Sequence, residues 1–241
     1  MGFLNIGSLG ELVGELLSPT RCACCERPGR LVCEECLRAM TRIDPAHACL
    51  RCGAPFGELV CTECQGVQTS LDHCLAVAVF DGPPAHIVRA YKDAGERRLA
   101  VEIANVMIES ALEAELEASS RYRGLVEKAD AVTFVPVTAA AYRRRGFDHM
   151  EAIARSFAHA CGLPVRDVLV KHGAGDQRAL SREERLARSE GMYEVVEDVR
   201  GAHLLLLDDV ITTGATMDAV SAALKSAGAD RVDGLAFARV W

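Results

Sequence analysis

The sequence predicts an α/β protein, a mostly parallel sheet with helices on both faces, preceded by a small cysteine-rich module that needs metal to fold. Three observations carry this. Strand-like apolar runs alternate with helix-period segments between residues 75 and 240, the pattern of parallel strands joined by crossover helices. The run LLLLDD (204–209) is apolar at four consecutive positions, as a strand covered on both faces must be. Ahead of the alternation, eight of eleven cysteines fall into four Cys-x-x-Cys pairs between residues 22 and 64.

Composition sets outer bounds. A chain of 241 residues holds one large domain, or a medium one and a small one. Half of the residues are hydrophobic and a quarter charged, which is ordinary for a soluble globular protein. The net charge of −7 excludes a global basic footprint for nucleic acid and leaves room for a local patch. No apolar run approaches the roughly 20 residues of a membrane span.

Taken in order, residues 1–20 read as an amphipathic helix packing on the body, with Leu9, Leu12, Leu16 and Leu17 on one face. The stretch has neither the basic n-region nor the cleavage site of a signal peptide. It carries no Lys or Arg before Arg21, which argues against a membrane-surface role. Residues 21–66 are rich in Cys, Gly, Pro and Arg; such a segment buries little apolar area and needs a staple. The larger domain is expected over 75–241. Within it, LAVAVF (75–80) is a strand, and 84–116 is one helix or two, broken at Gly95. DAVTFVPV (130–137) is a buried strand, 146–162 a helix stopped by Gly162 and Pro164, and VRDVLV (165–170) a short strand. Residues 171–191 are polar and charged. A strand at 203–209, a helix at 214–228 and a last strand at 231–240 complete the alternation.

The odd cysteine total, the absence of an export signal and the knuckle spacing favour thiolates on metal over disulfides, and with them a cytoplasmic location. Two residues between paired cysteines let both sulfurs face one ion, and four thiolates make a closed tetrahedral zinc site. Eight ligands make two sites. The intervening lengths are 7, 12 and 8 residues. The short gaps suit hairpins within a site, which favours Cys22, Cys25, Cys33 and Cys36 on one zinc ion and Cys49, Cys52, Cys61 and Cys64 on the other. A cross-braced pairing is the alternative, and an iron–sulfur cluster a second one. Gly53, directly after Cys52, fits the sharp knuckle turn. Binding free energy on the order of 10–16 kcal/mol per structural zinc is enough to fold such a segment. Modules of this kind also bind nucleic acid or protein, so an interaction role stays open.

The chemistry is expected at the end of LLLLDDVITTGAT (204–216). In open α/β sheets, ligands bind outside the carboxyl ends of strands, where Asp208 and Asp209 stand. Thr212, Thr213, Gly214, Ala215 and Thr216 then lead into a helix, presenting hydroxyls and free backbone N–H groups that suit a phosphate. Two carboxylates beside that cradle would repel a polyphosphate, but they suit vicinal hydroxyls with a metal ion nearby. A ribose carrying a 5′-phosphate fits both halves.

These thirteen residues resemble the 5-phosphoribosyl-1-pyrophosphate (PRPP) signature of type I phosphoribosyltransferases. The Walker A pattern is absent. Together with the four knuckles, nearly the whole chain resembles the ComF family of competence-associated phosphoribosyltransferases. The resemblance implies a type I phosphoribosyltransferase-like domain, PRPP with magnesium as ligand, and an association with DNA uptake. VPVTAAAYRRRGFDHMEAIAR (135–155) is similar to the family's pyrophosphate-contacting segment, which assigns Arg144, Arg145 and Gly146 to the diphosphate, with Arg143 beside them. Here Asp148-His149 stands where Asn-Gln is usual, and Thr138 replaces a proline. The stretch 171–191, with Gln177, Leu180, Ser181, Glu184 and Arg185 matching and Arg188 in place of Asn, resembles the mobile hood loop that closes over PRPP. It offers Arg178, Arg182 and Arg185 as cations toward the leaving group, with Arg178 and Arg185 grouped with Asp208 and Asp209 as the catalytic set. Lys92 matches a helix-borne lysine that reaches a phosphate. Two functional classes follow: a phosphoribosyltransferase, or a protein that uses the same fold to bind a nucleotide or single-stranded DNA without turnover, alongside competence-machinery proteins.

Overall fold

The computed structural model describes residues 19–56, 59–172 and 192–241. The cysteine-rich segment contains a single short helix, α1 (Glu34–Arg38), and one 3-10 turn at Thr62–Cys64. The larger unit follows as β1 (His73–Val79), α2 (Pro83–Lys92), α3 (Leu99–Glu117), α4 (Ser119–Tyr122), β2 (Ala131–Phe134), α5 (Ala139–Arg145) and α6 (His149–Cys161). It continues through β3 (Leu169–Lys171), β4 (Tyr193–Val195), β5 (His203–Ile211), α7 (Ala215–Ser226) and β6 (Arg231–Arg239).

Four strands form one sheet in the order β1-β6-β5-β2, and every pairing in it is parallel. β3 and β4 make a separate antiparallel pair. Because side chains alternate across a strand, the four leucines of β5 divide between two cores. Leu205 and Leu207 join Leu235 and Phe237 in the larger one, under Tyr91, Ile103, Met107, Ile153 and Phe157 of α2, α3 and α6. Leu204 and Leu206 face the other way, onto Met217, Val220 and Leu224 of α7. Burying β5 and β6 on both faces puts the carboxyl end of β5 in the interior of the sheet, with helix ends on either side of it.

Several elements depart from the sequence-based expectation. β5 runs two residues further than expected, to Ile211, so the acids lie within the ladder, Asp208 opposite Ala236. The strand expected over 165–170 is reduced to a single bridge from Val165 to Val132 before β3 begins at Leu169. Residues 143–145, for which no element was predicted, belong to helix α5, which Gly146 closes in the left-handed conformation at φ 74°. Thr138 explains that helix: its Oγ1 accepts the Ala141 N–H at 3.1 Å, an N-cap that proline at this position could not supply. The segment 84–116, expected as one helix or two broken at Gly95, is as the second alternative has it: α2 and α3, with Gly95 at φ 73° between them. The expected N-terminal helix, apart from Pro19 and Thr20, and the loop bearing Gln177, Arg178, Arg182, Arg185 and Arg188 lie outside the described residues.

The cysteine-rich segment is built into the body. Residues 41–43 run antiparallel to β1, with Ile43 N–H on Val77 O and Val79 N–H on Thr41 O, both at 2.9 Å. Cys22, Val32 and Cys36 share the larger core with Val88 and Leu99. The second knuckle presses on β1 so closely that a Cβ on Gly53, at φ +68°, would lie 2.8 Å from Ala76 N. Glycine there serves both the turn and the contact.

Candidate functional site

The two acids of β5 are adjacent in sequence and point to opposite faces of the sheet. Asp209 turns toward the α2/α6 face, where Lys92, the last residue of α2, forms an ion pair with its Oδ2. His149, the first residue of α6, places Nε2 at 3.0 Å from the same oxygen. Asp209 is 4% exposed. Burial alone would raise its pKa, but the His149 hydrogen bond and the Lys92 charge outweigh that and hold it well below the usual carboxylate range. Asp208 has no such partners. Burial, and the ionised Asp209 beside it, push its carboxyl up to about 8, and the Asp209 N–H at 2.9 Å from its Oδ1 offsets only part of this. The shift favours a protonated Asp208 beside an ionised Asp209, and in that form Asp208 can donate as well as accept a hydrogen bond.

The orientation of His149 is fixed from three sides. Nδ1 lies 3.3 Å from Arg145 Nη1; a guanidinium only donates, so Nδ1 accepts and Nε2 carries the proton that faces Asp209. Tyr91 donates its hydroxyl to the His149 carbonyl at 2.6 Å, and its ring stands edge-on to both Phe147 and His149. Arg97 lies 4.5 Å over the Phe147 ring. Asp148 caps α6, its Oδ1 accepting the N–H groups of Met150 at 2.8 Å and Glu151 at 3.1 Å. Its charge is thus spent on the helix terminus. Arg144 is exposed on α5, while Arg145 is half-buried beside His149.

The turn after β5 is open. Thr212, Thr213, Ala215 and Thr216 are exposed, and Gly214 adopts φ 81°, the left-handed conformation, immediately before α7. The N-cap is this glycine and no side chain caps the helix from that position. Only Thr213 Oγ1 approaches, 3.4 Å from Ala215 N. The first turn of α7 thus presents backbone N–H groups and three threonine hydroxyls to solvent, at the positive end of the helix dipole.

The cysteines fall into two groups, Cys22, Cys25, Cys33 and Cys36, and Cys49, Cys52, Cys61 and Cys64, with the sulfurs of each within 4.8 Å of one another. This settles the pairing as sequential rather than cross-braced. In each group a backbone N–H points at the first sulfur, Cys33 to Cys22 at 3.4 Å and Cys61 to Cys49 at 3.3 Å. Burial would raise the Cys22 thiol, but the N–H groups of Cys33, Cys24 and Cys25 bring it down to about 6. The Cys52 thiol, with backbone help, brings Cys49 down to about 4. Two of the leftover cysteines are disfavoured as thiolates: desolvation pushes the half-buried Cys24 up to about 12 and the buried Cys74 further. Four convergent sulfurs in each group, one of them favoured as a thiolate by backbone N–H groups, fit a tetrahedral dication.

Residues 125–238 match the phosphoribosyl transferase domain family. The DNA utilization protein YhgH of Salmonella typhi is 25% identical over 225 residues, which are 90% of this chain and 96% of that protein. Competence protein ComFC of Streptococcus pneumoniae is 31% identical over 98 residues, 41% of this chain and 43% of the relative. The chain is thus similar to ComF-type phosphoribosyltransferase-like proteins. Among solved structures, the glutamine PRPP amidotransferase from B. subtilis aligns with a TM-score of 0.39 at 23% identity, over 57% of this chain and 26% of the amidotransferase.

The structure brings together Asp209, Lys92, His149 and Arg145, and sets the turn 212–216 at the end of the same strand. Lys92 was expected on a phosphate; its ammonium is on Asp209. His149 was not among the candidate site residues, although its departure from the ComF Asn-Gln pattern marks it. Asp148, which stands where Asn is usual, is a helix cap. Arg239, discussed below, gave no signal in the sequence beyond being a cation at the end of an apolar strand.

Proposed function

We propose that the chain binds PRPP at the carboxyl end of β5 and acts on its phosphoribosyl group. The observation that carries this reading is the juxtaposition of two adjacent acids at the end of β5 with a hydroxyl-rich helix start that no side chain caps from Gly214. Asp209 accepts hydrogen bonds from one ribose hydroxyl and Asp208, in its protonated form, shares a second. Thr212, Thr213, Gly214, Ala215 and Thr216 hold the 5′-phosphate through backbone N–H and hydroxyl groups. Arg144, Arg145 and Gly146 attend the diphosphate. Lys92 holds Asp209 ionised before ligand arrives and lies within a side-chain swing of the phosphates. Arg178 and Arg185 supply further cations to the leaving group.

In phosphoribosyl transfer the bond from C1 to the diphosphate oxygen breaks, the oxygen keeps the electron pair, and a nitrogen nucleophile bonds to C1. The protein's contribution is orientation of the ribose and neutralisation of the departing diphosphate. Asp208 and Asp209 fit magnesium poorly as direct ligands, one being favoured in its protonated form and the other engaged by Lys92 and His149; magnesium would be carried on ligand oxygens and supply charge neutralisation there. The two cysteine groups are proposed as structural zinc sites.

The relatives' names, DNA utilization and competence, support a setting in DNA uptake, with single-stranded DNA or competence proteins as partners. Binding without turnover is the second reading, favoured by the near-complete burial of Asp209 (4% exposed) under two cations. Incubation with magnesium, PRPP and a panel of nitrogen bases separates the two. Pyrophosphate release that disappears in Asp209→Asn supports transfer; saturable PRPP binding with no release supports the binding module; absence of both overturns the reading of the site.

A further inference from the structure

Arg239 ends β6 with its side chain 3% exposed, between the second cysteine group and the turn after β5. Its Nη1 donates to the carbonyl oxygens of Thr212 and Val240. Its Nη2 lies 3.9 Å from Cys52 Sγ and 3.5 Å from Glu63 Oε2. Gly214 abuts the same cysteine: a Cβ there would stand 3.8 Å from Cys52 Cβ. A second tie runs from the chain leaving the cysteine group to the first turn of α7. Asp218 Oδ1 accepts the Thr69 hydroxyl at 2.9 Å and the Ser70 N–H at 2.6 Å.

A buried guanidinium is costly unless its charge is met and its donors are used. Glu63 is mostly exposed, with 68% of its side chain open to solvent, and meets that charge weakly. Four thiolates around a dication carry a net charge of −2, and Cys52 Sγ would present part of it to Arg239. Outer partners of this kind orient metal ligands and tune their affinity. The same rigid fork holds the Thr212 carbonyl, and the direction of that carbonyl sets how the chain enters Thr213 and Gly214. Lysine could supply the charge but not both directions at once.

We propose that Arg239 is a positioning residue that couples metal loading of the Cys49/Cys52/Cys61/Cys64 group to the conformation of the turn between β5 and α7. The consequence for ligand affinity rests on the reading of that turn as the phosphate site; the coupling itself does not. With the metal bound, Cys52 and Arg239 hold each other and the turn is held open in one shape. Without it, Arg239 loses its counter-charge and Thr212 its anchor.

The test is hydrogen–deuterium exchange on the full chain without ligand, read on the peptide covering residues 209–220. It uses the wild type, Cys64→Ser, Arg239→Lys and the double variant, with zinc content measured on each. Cys64→Ser removes the second metal through a ligand that does not touch Arg239. The coupling predicts that Cys64→Ser speeds exchange in this peptide roughly tenfold, the scale of outer-partner effects on metal sites. It predicts that Arg239→Lys does the same while retaining both metals, and that the double variant adds nothing further. Wild-type exchange in Cys64→Ser overturns the proposal, as does wild-type exchange in Arg239→Lys or full additivity in the double variant. Should Arg239→Lys fail to fold, chelating zinc from the wild type gives the same decision: faster exchange at 209–220 supports the coupling and unchanged exchange rejects it. PRPP titration of the same proteins separates the two readings. Coupled exchange with no PRPP binding to the wild type retains the strut and rejects the phosphate site; PRPP binding with uncoupled exchange does the reverse.

Discussion

Replacing Lys92 with methionine tests the electrostatics of the site without touching either acid. Lys92 is 21% exposed in its side chain and Asp209 is 5% exposed, so the pair is mostly withdrawn from water. Removing one partner of such a pair leaves a buried charge uncompensated, which typically costs about 3–5 kcal/mol. Here His149 Nε2, at 3.0 Å, still serves Asp209, and part of Lys92 is solvated. Both reduce the loss, to about 2–3 kcal/mol. In a chain of this size that lowers Tm by roughly 4–12 °C. Urea unfolding of zinc-replete protein gives the value, and a cycle with Asp209→Asn isolates the pair. The double variant Lys92→Met/Asp209→Asn should recover most of the loss, because the charge that needed compensation is gone. A Lys92→Met change below about 0.5 kcal/mol, the range of an ordinary surface substitution, would refute the reasoning, as would a double variant no better than Lys92→Met alone.

Two further predictions concern pH. The Asp208 carboxyl is raised to about 8 in the folded protein from an ordinary 3.8, so the native state binds the extra proton and its stability falls as pH rises from about 4 toward 8. Asp208→Asn, which mimics the protonated form, should flatten that fall in thermal melts between pH 5 and 8; a slope equal to wild type would contradict the assignment. At the opposite end of the sheet, Asp233 accepts from His203 Nε2 at 2.7 Å and His73 Nδ1 at 3.0 Å, with Arg231 Nε at 2.8 Å. Burial opposes its ionisation, but these partners hold its carboxyl at about 2, against an ordinary 3.8. Its stabilisation, on the order of 2 kcal/mol, is present above pH 3.8 and is lost as pH falls through about 2. Asp233→Asn should remove that share of the acid sensitivity and destabilise the protein at pH 7 by about 3 kcal/mol, since three donors then face a neutral amide. A loss below 1 kcal/mol in chemical denaturation would refute this.

What the sequence disclosed follows the range of the interactions involved. β5, α7 and β6 were legible because four leucines in a row, a glycine before an apolar 3.6-residue period and a closing apolar run are local signals. The grouping of the cysteines was legible from spacing, because a knuckle is a local turn. α5 was missed because Thr138, the residue that starts it, occupies a position read as a variant proline. β4 is three residues long and surrounded by charge, too short for alternation to register. The contact of Lys92 and His149 with Asp209 joins residues from three elements that only the packed sheet brings together, and no periodicity encodes it. The opposite facing of Asp208 and Asp209 could have been read from strand period two, had the strand been extended to Ile211. Arg239 belongs to the same class: its partners, Thr212 and Cys52, lie 27 and 187 residues away.

The central claim is that the carboxyl end of β5 clasps a ribose phosphate, acids on the hydroxyls and the helix start on the phosphate. Calorimetric titration of PRPP with magnesium into the zinc-replete wild type and into Asp209→Asn tests it most directly. The account predicts saturable, one-to-one binding to the wild type, weakened roughly 10- to 100-fold in Asp209→Asn, the scale of hydrogen bonds to a charged acceptor. Absence of binding to the wild type, or equal affinity in the two proteins, would contradict it.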